Sequence, residues 1–250
     1  MAPVKLAAGN WKMNGSLARA RTLVGELAKR TRASDKGRAR VAVCPPFPLL
    51  PLIADIARDG DIELGAQDCH FKEKGAHTGD VSAKLLAELG CGLVIVGHSE
   101  RRADHGETDA VVKAKAEAVL GAFLSPIICV GETEKQRDAG ETNRVVERQL
   151  LGSWPASGTS ARCIIAYEPV WAIGTGKTPT GKDVVQVHAL IRSVARGAGI
   201  DAATLMVLYG GSVKGSNAAE LMSLDGVDGA LVGGASLDAE DFWKIVQACG

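Results

Sequence analysis

LVIVGHSERRADHGETDAVVKAKAEAVLGAFLSPIICVG, residues 93–131, holds two apolar runs with a helical segment between them. The runs, LVIVG (93–97) and PIICVG (126–131), lack period-two alternation, which is how a strand buried on both faces of a parallel sheet reads. Residues 108–120 predict the intervening helix. Runs of the same kind recur on both sides: VKLAAG (4–9), RVAVC (40–44), IELGAQ (62–67), CIIAYE (163–168), LMVLYG (205–210) and GALVGG (229–234). Helical spacing separates them, as in Leu17, Ala20, Val24, Leu27 and Ala28, and in Val184, Val187, Ile191 and Ala195. Further helices are expected at 48–58, 82–89, 142–151, 217–223 and 238–248. Eight strand and helix units in 250 residues suit an α/β chain folded as a closed (β/α)8 barrel better than an open doubly wound sheet. No linker or low-complexity tract interrupts the pattern, so residues 1–250 read as a single domain.

Composition narrows the class. With 46% hydrophobic and 23% charged residues the chain is neither disordered nor fibrous. Lys plus Arg (29) balances Asp plus Glu (29), so nothing advertises nucleic acid or an anionic membrane as a partner. The apolar runs fall far short of the roughly 18–20 residues that cross a bilayer, and Asn10 and Lys12 interrupt the start before a secretory segment can develop. Cys44, Cys69, Cys91, Cys129, Cys163 and Cys249 form no CxxC pair and read as buried reduced thiols. A reducing, cytoplasmic location is expected, with the Asn14-Gly15-Ser16 sequon an accident of composition.

Barrels of this kind build their sites from the loops after the strands' C-terminal ends. Four of those ends are polar here: Asn10 with Lys12 beyond it, GHSER with His98, YEP with Glu168, and Gly233-Gly234. A carboxylate, an imidazole and an ammonium in one partly dry site can move a proton next to a carbonyl. Glu168 is the candidate base, with burial expected to raise its pKa; a salt-bridged structural glutamate would read the same. His98 precedes a plausible helical turn, Ser99 to Arg101, whose positive end would favour a neutral imidazole. Gly210-Gly211-Ser212 and Gly233-Gly234-Ala235-Ser236 offer backbone N–H groups to an anion, where barrels commonly hold phosphate. Residues 169–181, PVWAIGTGKTPTG, have the composition of a lid.

Competing motifs fail on spacing. The first glycine of a P-loop ending in GTGKT would fall on Trp171, and the closing glycine of a nucleophile elbow on Lys214 or Arg101. The histidines form no HExxH and Cys69 with His70 lacks a second pair, so no metal is expected.

GNWKMNG (9–15), VGHSERR (96–102), AYEPVWAIGTGKT (166–178), YGGSV (209–213) and LVGGASL (231–237) together closely resemble the triosephosphate isomerase family, in the family's order across nearly the whole chain. The resemblance implies a TIM barrel that interconverts dihydroxyacetone phosphate and D-glyceraldehyde 3-phosphate through an enediol, in glycolysis and gluconeogenesis, without a cofactor. It implies Glu168 as base, His98 as proton donor and shuttle, and Lys12 with Asn10 as stabilisers of negative charge. It implies backbone N–H groups of Gly174, Ser212, Gly233 and Gly234 as the phosphate grip. It also implies a homodimer in which loop 67–82 enters the partner and brings Thr78 near that subunit's site. Asp68, where asparagine is common, and His77, where an aromatic is common, depart from the pattern and leave the strength of that association open. A Schiff-base aldolase would need a strand lysine, which only Lys5 offers, and a binding protein on the same scaffold would normally lose Glu168, His98 or Lys12.

Overall fold

The computed structural model describes residues 4–34, 39–173 and 177–250. Eight parallel strands form a closed barrel in chain order: β1 (Leu6–Asn10), β2 (Arg40–Cys44), β3 (Glu63–Ala66), β4 (Cys91–Val96), β5 (Ser125–Val130), β6 (Ile164–Tyr167), β7 (Met206–Tyr209) and β8 (Gly229–Val232). The helices around it are α1 (Leu17–Arg32), α2 (Leu50–Asp59), α3 (Ala83–Glu88), α4 (Ser99–Asp104), α5 (Asp109–Gly121), α6 (Glu134–Asp138), α7 (Thr142–Ser153), α8 (Gly181–Gly197), α9 (Ala218–Ser223) and α10 (Ala239–Cys249). The ring closes through β1, where Ala7 pairs with Val41 on one side and Ala230 on the other.

Closure explains the unbroken apolar runs. Leu6, Ala8, Leu93, Ile95, Ile127 and Leu208 belong to one buried cluster, while their neighbours Ala7, Val94, Val96, Ile128 and Val207 join a second cluster shared with the helices. Each strand is therefore apolar at successive positions. Gly229 makes closure possible: its φ is +138°, and a Cβ there would stand 2.0 Å from the Leu6 carbonyl oxygen.

The observed strands match the sequence expectation to within a residue or two. Two helices do not follow from periodicity, because α4 and α6 bury no residue. They are short and polar, and their ends are set by the side-chain caps of His98 and Thr133. All six cysteines are free and buried, as the absence of a CxxC pair and the apolar setting of four of them suggest. No helix among the described residues is long and apolar enough to cross a membrane.

His188 on α8 is fully buried, 2.9 Å from the Gly226 carbonyl oxygen through Nδ1, and edge-on to Tyr167. That contact requires the proton on Nδ1, and burial pushes the imidazole down to about 4 from 6.5. The unfolded chain therefore takes up a proton below about 6.5 that the folded chain refuses until about 4, so stability falls as the pH drops through that window, by about 3 kcal/mol in full. In urea unfolding at pH 7 and pH 4.5, His188→Asn should lose less stability between the two pH values than the wild type; equal losses would contradict this account of the group.

Candidate active site

Gly131 brings the central carboxylate into position. It follows β5, and a Cβ there would lie 1.7 Å from the Glu168 carbonyl oxygen, so only glycine lets the end of β6 approach so closely. The Glu168 N–H donates to the Val130 carbonyl at 2.8 Å, and the Gly210 N–H donates to the Tyr167 carbonyl at 2.7 Å. Pinned on both sides, Glu168 is only 1% exposed.

His98 ends the run after β4 and caps α4. The Glu100 N–H donates to its Nδ1 at 3.3 Å, which leaves the ring proton on Nε2, 2.9 Å from Glu168 Oε1. The Ser99 N–H donates to Glu168 Oε2 at 2.9 Å and the Ser99 hydroxyl to Oε1 at 3.2 Å. These contacts correct two electrostatic expectations. Burial alone would raise Glu168, but His98 and Ser99 outweigh it and hold the carboxyl below the usual range. Burial alone would lower His98, but the adjacent Glu168 carboxylate, joined by Glu100, outweighs burial and raises it. The neutral tautomer rests on the bond to Nδ1, and the raised affinity for a second proton on the contact with Glu168. Both shifts belong to the arrangement in which the two side chains touch.

Lys12 completes the group. Its backbone has φ +52°, an unfavourable region for a lysine, and is fixed by its own N–H donating to Asn10 Oδ1 at 3.0 Å and by Gln67 Nε2 donating to its carbonyl at 2.9 Å. The ammonium pairs with Glu100 at 2.6 Å. Asn10, Lys12, His98, Glu168, Ser212, Gly233 and Gly234 all line one cavity of about 330 Å³ at the C-terminal end of the barrel. Ser99 and Glu100 were not assigned site roles from sequence; their place directly after His98, at a helix start, was the available signal. Lys214 also lines the cavity and follows the YGGSV segment.

The start of the expected lid forms a 3-10 turn, Val170–Ala172. Trp171 Nε1 donates to buried Glu132 at 3.0 Å and Arg137 stacks on the indole at 4.2 Å. Lys177 pairs with Glu134. Gly174 lies outside the described residues. Thr78 is exposed on loop 67–82 and does not line the cavity. His77 stacks on His70 at 4.1 Å. Together with Asp80 these histidines place possible ligand atoms within 4.8 Å, but His70 Nδ1 already accepts the Lys72 N–H, which keeps the proton on Nε2 and makes this a poor ready-made metal site.

This geometry can be set beside known proteins. The family model described as triosephosphate isomerase matches residues 5–249. The chain belongs to the triosephosphate isomerase family. A triosephosphate isomerase of Bradyrhizobium diazoefficiens is 53% identical over 245 residues, covering 98% of this chain and 97% of the relative. One from Bradyrhizobium sp. strain BTAi1 is 56% identical over 247 residues, with 98% and 97% covered. The crystal structure of triosephosphate isomerase from Bartonella henselae superposes with a TM-score of 0.89 at 43% identity, covering 98% and 99% of the two chains. As a triosephosphate isomerase the chain interconverts dihydroxyacetone phosphate and D-glyceraldehyde 3-phosphate, a step of glycolysis.

Proposed function

We propose that Glu168 is the base of this isomerisation, His98 the group that protonates and deprotonates the two substrate oxygens, and Lys12 with Asn10 the stabilisers of the negative charge that develops on them. The observation that carries this reading is the contact between the Glu168 carboxylate and His98 Nε2 at 2.9 Å, in a cavity that also receives Lys12. Glu168 takes a proton from the hydroxymethyl carbon of dihydroxyacetone phosphate, and the C–H electrons form the enediolate double bond as the carbonyl π electrons move to oxygen. His98 gives its Nε2 proton to that oxygen and recovers one from the neighbouring hydroxyl. Glu168 then returns its proton to the adjacent carbon. For this the carboxylate must leave His98 and Ser99, and losing those contacts restores the basicity that burial favours.

Backbone N–H groups of Ser212, Gly233, Gly234 and Gly174 hold the phosphate, a role suited to a chain with no net positive charge. Closure of residues 169–181 then excludes water and protects the enediol from losing phosphate. No cofactor takes part in this scheme. The same reading takes residues 1–250 as one domain working in the cytoplasm, in gluconeogenesis as well as glycolysis, as a homodimer joined through loop 67–82 and Thr78.

Two measurements test these assignments. Glu168→Gln is expected to lower activity in both directions by about 10³-fold with the fold retained, chelator present throughout; a folded variant of near wild-type activity would remove Glu168 from the role of base. Sedimentation at micromolar concentration is expected to give twice the 26.0 kDa chain mass, and a single-chain mass would refute the dimer.

A further inference from the structure

Helix α4 carries His98 at its N-cap and Glu100, the partner of Lys12, in its first turn, yet it is six residues long and buries none of them. A helix this short does not hold itself together in water, and no apolar face anchors it. Its position therefore rests on polar ties. On one side Arg102 donates to the Gly97 carbonyl and pairs with Asp109 at 2.7 Å. On the other side Arg101, itself partly exposed, joins buried Asp68, Glu107 and Lys115 in a ring of alternating charge. Arg101 pairs with Asp68 at 3.0 Å and with Glu107 at 2.6 Å, and Lys115 pairs with the same two carboxylates at 2.6 Å each. Asp68 lies just beyond the end of β3, and Lys115 is on α5. The ring thus fastens α4 to two elements that the barrel fixes rigidly.

We propose that Asp68 is a positioning residue for the isomerisation: it acts through Arg101 to fix α4, and so sets the places of His98 and Glu100. Asp68 touches neither the cavity nor the side chains that line it among the described residues, so its effect is indirect. Removing it leaves Glu107 alone between two cations, and Arg101 loses its tie to the end of β3. An amide at this position keeps an oxygen for Arg101 and Lys115 and is the mild change, whereas a methyl group keeps neither contact.

This inference rests on the roles given above to His98 and Lys12, and the experiment separates the two. Asp68→Ala, Asp68→Asn and His98→Asn are compared by steady-state kinetics and by the ring 15N signals of His98. Asp68→Ala is expected to lower kcat about tenfold with KM within about twofold, because the phosphate grip lies on other strands, and to shift the His98 signals. Asp68→Asn should restore kcat to within about threefold of wild type. If Asp68→Ala does not fold, the double replacement Asp68→Leu with Lys115→Met fills the space and leaves Glu107 paired with Arg101 alone, and the same loss of kcat is expected of it. A folded variant that loses thermal stability but keeps kcat and the His98 signals would overturn the proposal and leave Asp68 a purely structural residue. If His98→Asn itself retains full activity, the reading of the site fails first.

Discussion

Closure of β8 onto β1 is the constraint on which everything else depends. Asn10, Lys12, His98, Glu168, Ser212 and the glycines at 233 and 234 are spread over more than 220 residues, and each stands at or just beyond a strand's C-terminal end. Only a closed parallel ring brings all of those ends to one mouth. Close backbone approaches keep the ring tight: at Gly229 against Leu6, and at Gly131 against Glu168, a single methyl group would push the strands apart.

Within the mouth, the charge is arranged locally in a molecule that is neutral overall. Buried Glu168 is held ionised by His98 and Ser99, and the Lys12 ammonium pairs with Glu100. Each of these partners belongs to α4 or its cap, so a six-residue helix organises much of the site. The strained backbone of Lys12 is likewise over-determined, by Asn10 from its own strand and by Gln67 from beyond β3. Of these neighbours, Ser99, Glu100 and Gln67 fix the site without a part in the proposed proton transfers.

The barrel was legible because burial of both strand faces writes continuous apolar runs, and α1 and α8 were legible because one face of each is buried. Helix α6 left no such signal and α4 showed only its first turn, Ser99 to Arg101, since an element without buried residues leaves no hydrophobic period. The same limit applies at the site. Polar residues at strand ends marked Glu168, His98 and Lys12, and spacing placed Ser212 and the glycine pair. The direction of the Glu168 shift was not readable, because burial and the contacts with His98 and Ser99 act in opposite senses, and their balance depends on where the carboxylate rests. The ring of Asp68, Arg101, Glu107 and Lys115 joins residues up to 47 positions apart, and no local pattern announces it.

The central claim is that a carboxylate and an imidazole, gathered by barrel closure, carry out the isomerisation by proton transfer through an enediol. Running the reaction from dihydroxyacetone phosphate in deuterium oxide and examining the product by proton NMR tests it most directly. The account predicts deuterium on the carbon next to the new aldehyde, because the proton held by Glu168 can exchange with solvent before it returns. Product and remaining substrate carried through many turnovers to equilibrium with no deuterium on carbon in either would point to direct hydride transfer between the carbons, and would contradict the account.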